Sequence, residues 1–411
     1  MRGRFSLRRN GLGAVLAVAL ALGQGMPAHA QKPAAVAAAI ATDARLGGDE
    51  SRTRLIVDLS HDIKVSAFTL ADPYRVVIDL PQIAFQFPGN AGQVGRGLIK
   101  AYRYGLVMQG GSRIVIDTTG PVRVEQATVQ EAKDGEPARL LVDLVSIDRA
   151  SFLRNLALDQ RNRPSEPRRP PAEVAKTDAR PVVVIDPGHG GIDNGTTAAE
   201  GVAEKTIVLD FAREFAERLE KTGRYNVVMT RSDDTFISLG DRVKVARQHK
   251  AALFISIHAD SLANRDPDTR GATIYTVSDK ASDAEAARLA EAENRADVIA
   301  GVDLSKDDDD VADILIDLMQ RETRTFSSHF ARIVAGALRP AVKLHRQPLR
   351  SAGFKVLKAH DVPSVLIELG YVTSPQDLKL MLSEAWRKRA TESLTAAVTT
   401  FFSGRAANAS N

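Results

Sequence analysis

The 411-residue sequence contains no cysteine. Disulfides, thiolate metal ligands and cysteine nucleophiles are therefore excluded, and the fold must rest on its core and on any metal held by nitrogen and oxygen donors. A membrane-length apolar run is also missing. "LGAVLAVALALG" at residues 12 to 23 is too short to span a bilayer comfortably. It follows the basic, acid-free "MRGRFSLRRN" and precedes "AHA" at 28 to 30, a small-x-small cleavage pattern. Residues 1–30 thus read as an export signal cut after Ala30, leaving no transmembrane anchor. Arg8-Arg9 keeps the twin-arginine route open beside the general one. Excess positive charge is absent once the signal is removed, because its Arg2, Arg4, Arg8 and Arg9 account for the formal charge of +4. Nucleic acid then loses its main support as a partner.

What is present divides the chain. Residues 31 to 47 are alanine-rich and read as weakly ordered. From Arg52 the pattern is strand-like, and it repeats: "RLIVDLSHDIKV" (54–65) resembles "RIVIDTTGPVRV" (113–124), and "PYRVVIDLP" (73–81) resembles "PARLLVDLV" (137–145). Two copies of one strand pair predict an all-β sandwich with internal pseudo-symmetry over 48–147. Residues 148–180, rich in proline and charge around "RNRPSEPRRPP", predict a solvated linker. From 181 to 403 buried strand patterns ("VVVID", "YNVVMT", "LFISI", "GATIYTV", "SVLIE") alternate with helical ones (203–221, 239–250). That alternation predicts an α/β domain with a mostly parallel twisted sheet flanked by helices. An acidic insertion at 279–326 interrupts it, with 14 acids against 6 bases.

In an open α/β sheet, ligands bind beyond the carboxyl ends of the strands. His189 follows the strand "VVVID", His258 follows "LFISI" directly, and Glu368 closes "SVLIE". Glu204 opens the helix after the first strand and so returns to the same edge. Each has a plain alternative by itself: a glycine turn for His189, a first-turn acid for Glu204, a strand-end histidine for His258. Glu368 is harder to explain away, because a carboxylate ending an apolar strand needs a partner or a task. No Gly-Lys-Ser/Thr follows the "GHGG" turn, so a phosphate-binding loop is not supported. Two imidazoles and one carboxylate make a three-ligand zinc site with a fourth position open to water. Zinc would acidify that water and polarise a carbonyl, and a second carboxylate would serve as general base. His249, His329, His345 and His360 have no comparable setting.

The segments "VVVIDPGHGGIDNG", "AEKTIVLDFA", "LGDRVKVARQHKAALFISIHAD" and "GFKVLKAHDVPSVLIELGYVTS" resemble the zinc-dependent N-acetylmuramoyl-L-alanine amidases of the AmiA/AmiB/AmiC type. The repeat domain resembles the AMIN domain that targets such amidases to peptidoglycan, often at the division septum. The resemblance implies one zinc ion on His189, Glu204 and His258, and Glu368 as the catalytic residue. It implies hydrolysis of the amide between N-acetylmuramic acid and L-alanine of the stem peptide, in the periplasm. It departs from the family at "TSP" (373–375), where relatives often carry "SN".

Helix control is a further expectation. Ser282 with Glu285 forms a capping-box pattern that opens a helix able to run to Gly301. Ala286, Leu289, Ala290 and Ala296 form its apolar stripe, and Glu293 falls on that stripe. Similar septal amidases carry a helix that plugs the site with a glutamate on zinc. Glu293 is the expected plug, with Glu291 and Glu285 as alternatives. The stripe Val311, Ile314, Leu315, Leu318 and Met319 either receives an activator, in this family a LytM-domain protein, or packs on the catalytic core. Two other functions compete: a non-catalytic wall-binding protein with structural zinc, and a zinc peptidase cutting within the stem peptide.

Overall fold

The computed structural model describes residues 38–89, 91–108, 110–133, 135–162, 178, 180–261, 270–302 and 314–409. The export signal, most of the linker and the "DDDD" run with Val311 lie outside the described residues.

Strands β1 (Ala39–Gly48) to β9 (Ala138–Ser146) build the N-terminal domain as two packed sheets. One has the order β5-β1-β2-β9-β8 and the other β3-β4-β7-β6, where β2 is Arg52–Leu59, β3 Ser66–Leu70, β4 Arg75–Pro81, β5 Ile83–Phe85, β6 Ile99–Met108, β7 Gly111–Thr118 and β8 Val122–Gln130. The sequence repeat explains the order. β2 and β7 carry the like segments "RLIVDL" and "RIVIDT", and β4 and β9 carry "RVVIDL" and "RLLVDL". The central pair of each sheet joins one strand of each kind, β2 with β9 and β4 with β7. Each repeat therefore contributes half of each sheet, and the two inner faces close on Leu55, Val57, Val76, Ile78, Ile114, Ile116, Leu140 and Val142.

Two boundaries differ from the sequence expectation. β1 occupies residues read as weakly ordered. Its alternating inward residues Ala39 and Ala41 are small, so composition hid a strand that pairs with β2 along most of its length. α1 (Arg149–Asn162) occupies the start of the segment read as linker. Phe152 anchors it, fully buried with its ring edge-on to Tyr74 at 5.0 Å.

The C-terminal domain is a six-stranded sheet of order β11-β10-β12-β15-β13-β14. β10 (Val182–Pro187), β11 (Asn226–Met229), β12 (Leu253–His258) and β15 (Ser364–Glu368) run parallel, whereas β13 (Ala272–Val277) runs against β15 and β14 (Leu344–Ala352) follows β13. The inner parallel strands β10, β12 and β15 are built mainly from Val, Ile, Leu and Phe, as burial on both faces requires, whereas the edge strand β11 is only half-buried. One face is covered by α2 (Glu204–Lys221), α6 (Ile314–Leu338), α7 (Pro375–Met381) and α8 (Glu384–Ala409), the other by α3 (Leu239–Gln248) and α4 (Ala284–Glu293). In α2 the residues at 207, 208, 211, 212, 215, 216 and 219 are buried at helical spacing. Each large apolar side chain among them is worth about 1.5–3 kcal/mol by burial. Gly223, at φ 68°, lies just beyond that helix in the left-handed region. No helix among the described residues is long and apolar enough to cross a membrane.

The expected continuous helix from 282 to Gly301 is broken. α4 is capped by Asp283, whose side chain accepts from Ala286 N, rather than by Ser282. The Ser282 hydroxyl instead bonds Asp283 and accepts from Ser351 N, and Glu285 turns to Arg350. α4 stops at Glu293 because Asn294 reaches out of the helix: its Nδ2 donates to Gly353 O and its Oδ1 accepts from Lys355 N. A short α5 (Ala296–Ile299) follows. α6 begins at Ile314, and the side chains of the 311–319 stripe lie outside the described residues.

Candidate metal centre and active site

The sheet delivers three of the four candidate residues to one rim. The β12–β15 register sets His258 directly opposite Glu368. His189 sits two residues beyond the end of β10, in a turn that needs an unusual backbone. Its own φ is 59°, a left-handed value rare for a non-glycine residue. Two glycines make room here. A Cβ at Gly188 would lie 2.4 Å from the His258 ring, and one at Gly195 would lie 2.7 Å from both Glu204 Oε2 and the His189 ring. Glu204 arrives from the first turn of α2, with its backbone N–H donating to Thr196 O.

The side chains converge on one point. His189 Nε2 lies 3.2 Å from Glu204 Oε1 and 3.6 Å from Glu293 Oε2. His258 Nδ1 lies 3.5 Å from Glu204 Oε1 and 3.2 Å from Glu293 Oε2. Metal–ligand bonds of about 2.0–2.1 Å to imidazole and carboxylate give a tetrahedron with edges near 3.3 Å, which these four separations match. His189, Glu204 and His258 are all buried and form a group able to hold a metal ion. Among the described residues the buried His189 Nε2 and His258 Nδ1 have no hydrogen-bond partner, so the donor set fits a tetrahedral cation.

The surrounding contacts orient the donors. His189 Nδ1 donates to Asp193 Oδ2 at 2.9 Å, which leaves Nε2 to face Glu204. Asp193 is held in turn by the N–H of Gly195. Glu204 Oε1 accepts from Ala259 N and Oε2 from Thr196 N. Glu368 is fully buried, with Oε2 accepting from Asp260 N at 3.0 Å and Oε1 unpartnered among the described residues. Asp260 accepts from the Thr196 hydroxyl through Oδ1. Behind the rim, the buried pair Arg242–Asp186 holds the floor: Asp186 also accepts from Thr230 and Ser256, and Arg242 donates to His189 O.

Charge is concentrated accordingly. Burial drives the His189 imidazole toward neutrality, but Glu204, Asp193 and Glu293 outweigh it and hold the group well above its ordinary value. Burial also opposes ionisation of Glu204, which the two histidines overcome, leaving it well below the carboxylate range. Burial pushes Glu293 up to about 7, with the histidines opposing and Glu204 and Asp260 adding to the rise. Glu368 is pushed well above its ordinary value by burial first, then by Glu204, Asp260 and Glu293. Five carboxyl groups, those of Asp193, Glu204, Asp260, Glu293 and Glu368, form a field around two imidazoles that favours a bound cation.

The three acids considered for the regulatory role have separate positions. Glu293 is buried against both histidines, Glu291 is exposed on Arg295, and Glu285 pairs with Arg350. Sequence reasoning passed over Asp193, Thr196 and Asp260. Asp193 was within reach, lying four residues after His189 in the same glycine turn. Thr196 and Asp260 become visible only when the loops meet.

The N-acetylmuramoyl-L-alanine amidase family model matches residues 183–400, and the AMIN domain model matches residues 43–144. The chain is 33% identical over 383 residues to N-acetylmuramoyl-L-alanine amidase AmiC of Neisseria meningitidis serogroup B, covering 87% of this chain and 88% of that one. It is 32% identical over 367 residues to the AmiC of Escherichia coli O6:H1, covering 86% and 87%. It is 38% identical over 231 residues to the AmiA of Escherichia coli K12, covering 56% of this chain and 79% of that one. The chain thus belongs to the N-acetylmuramoyl-L-alanine amidases, hydrolases of peptidoglycan, with an AMIN domain ahead of its catalytic domain.

Proposed function

We propose that His189, Glu204 and His258 hold one zinc ion, that Glu368 is the general base and acid, and that Glu293 on α4 keeps the site closed until an activator withdraws it. The observation that carries this reading is the meeting of His189 Nε2 and His258 Nδ1 with both Glu204 Oε1 and Glu293 Oε2 at 3.2–3.6 Å. Zinc is favoured because the donors are two imidazoles and carboxylates in a tetrahedral spacing, with no cysteine in the chain. When bound, zinc supplies Lewis acidity to the scissile carbonyl and a water acidified toward neutral pH.

The protein supplies the rest. Glu368 stands beside His258 on the next strand, with Oε2 fixed by Asp260 N and Oε1 left without a hydrogen-bond partner among the described residues. It takes the proton of the attacking water and passes it to the L-alanine amine as the lactyl amide breaks. Asp193 holds the tautomer of His189, and Thr196 and Ala259 fix Glu204 through their backbone N–H groups. While α4 is seated, Glu293 stands where substrate must enter.

The biological setting follows from the same reading. Residues 1–30 export the chain to the periplasm. The AMIN domain brings it to peptidoglycan, and a LytM-domain protein acting on the 279–326 insertion opens the site for daughter-cell separation and wall remodelling. Incubation of the mature chain with purified peptidoglycan, with activator and with or without chelator, tests the chemistry. New amines at L-alanine that disappear with chelator are expected. Ends within the stem peptide, or chelator-insensitive release, would overturn it.

A further inference from the structure

We infer that Arg350 is a subsite for a carboxylate of the stem peptide, covered by α4 in the closed state; this rests on the plug reading above. Arg350 lies on β14, with its side chain buried. Its Nη1 donates to Glu285 Oε2 at 2.7 Å, and its Nε lies 3.6 Å from Asp283 Oδ2, outside hydrogen-bond range. Both acids belong to the start of α4, the helix whose last residue is Glu293. Departure of that helix would take both acids from the guanidinium and open it to an incoming anion, with the His345 ring still 3.5 Å from its Nη2. The sheet sets its place relative to the chemistry. Arg350 is opposite Tyr275, and Glu368 is opposite Thr273 on the same face of β13. The eight-residue rise from Glu285 to Glu293 along α4 is about 12 Å, the length of three to four extended residues. The helix therefore presents two carboxylates, one to the histidines and one to Arg350, at the spacing of a scissile amide and an acidic residue further along a peptide. Arg is suited to this task by its planar fork of donors.

The test uses the full mature chain carrying Glu293→Ala. Two synthetic probes are compared: an N-acetylmuramoyl tripeptide with a free carboxylate at the third residue, and the same molecule amidated there. The Arg350 enzyme should prefer the free carboxylate by about tenfold or more in kcat/KM, mostly through KM. Arg350→Met should abolish that preference, so that the two probes are cleaved with equal kcat/KM, and Arg350→Lys, the safer variant for folding, should reduce it. Equal cleavage of both probes by the Arg350 enzyme, or a preference that survives in the folded Met variant, would overturn the subsite. A Glu293→Ala enzyme no faster than wild type on peptidoglycan would instead overturn the plug.

A separate set of contacts leads us to propose that the AMIN domain latches the plug, again on the plug reading. Three arginines of one AMIN sheet bind four consecutive carbonyls that end the inhibitory segment. Arg75 Nη1 donates to Val298 O at 2.7 Å, Arg103 Nε to Ile299 O at 3.4 Å, and Arg113 Nη1 to Ala300 O at 3.1 Å and Gly301 O at 3.3 Å. Arg113 is aimed by Asp79 and Arg103 by Asp117. Ala300 is fully buried with Val115, Ile192 and Phe236, and Gly301, at φ 67°, has no room for a Cβ beside Val77 and Val115. The same domain reaches the turn of His189, where Ile192 N donates to Leu106 O. Binding of this sheet to the wall would then compete with its hold on the plug.

Arg75→Ala/Arg113→Ala in the full chain should raise activator-free peptidoglycan hydrolysis about tenfold and speed amide hydrogen exchange over 284–302. Added to Glu293→Ala, the same changes should raise the rate no further. Gly301→Ala, which strains the interface without burying a lone charge, provides the second variant. Unchanged rate and exchange in both folded variants would overturn the latch.

Discussion

Glu293 Oε2 lies 3.2 Å from His258 Nδ1, a helix-borne carboxylate brought against a strand-end imidazole. The pairing is dictated by how α4 packs. Ala286, Leu289 and Ala290 turn one face of the helix into the core cluster that also holds Phe254, Tyr275 and Leu366, and the next position on that face is Glu293. An acid on an apolar stripe is thus delivered to the two imidazoles by the packing itself.

Metal binding is expected at one zinc per chain. His189→Ala should abolish it. Asp193→Asn should weaken it by about 10–100-fold, because the imidazole loses the partner that sets its tautomer. Zinc should also raise the midpoint of thermal unfolding, the rise growing with the logarithm of free zinc above its dissociation constant, and chelation should reverse it. Zinc titration calorimetry on folded variants checks both.

Glu368→Gln should keep the zinc and the fold while lowering kcat by about 10²–10⁴. Metal content measured beside single-turnover cleavage separates this from a loss of metal. Wild-type kcat in the zinc-loaded variant would remove Glu368 from the mechanism.

The Asp186–Arg242 pair predicts an acid-side loss of stability. Burial alone would raise the Asp186 carboxyl, but Arg242 and the hydroxyls of Thr230 and Ser256 outweigh it and hold it below its ordinary value. A depressed folded pKa means stability that is present above the unfolded value near 3.9 and lost as pH falls through the folded one. Asp186→Asn should cost about 3–5 kcal/mol at neutral pH by leaving Arg242 buried without its counter-charge. It should also flatten the fall in denaturant midpoint below about pH 4. An equally steep fall in the variant would refute the assignment.

Much of this architecture is legible before folding is considered. The parallel strands announce themselves as apolar runs, and strand-end positions locate His189, His258 and Glu368 on one rim. Repeated segments around Asp58, Asp79, Asp117 and Asp143 reveal the pseudo-symmetric β domain, although not that each repeat donates half of each sheet. Other features depend on partners remote in sequence. β1 is hidden because small inward alanines carry little hydrophobic signal, yet it is fixed by pairing with β2. The break after Glu293 arises from Asn294 bonding to Gly353 and Lys355. The cap moves from Ser282 to Asp283 while Glu285 is drawn to Arg350. Asp260 and Thr196 meet only because two loops cross at the rim.

The plug is tested most directly by the activator-free rate of Glu293→Ala on purified peptidoglycan, measured beside wild type, with and without chelator, and with the released ends identified. The variant should liberate L-alanine amines about tenfold faster or more, as expected when a competing internal ligand is removed, and chelator should abolish the gain. A folded, zinc-loaded variant that digests peptidoglycan no faster than wild type would contradict it.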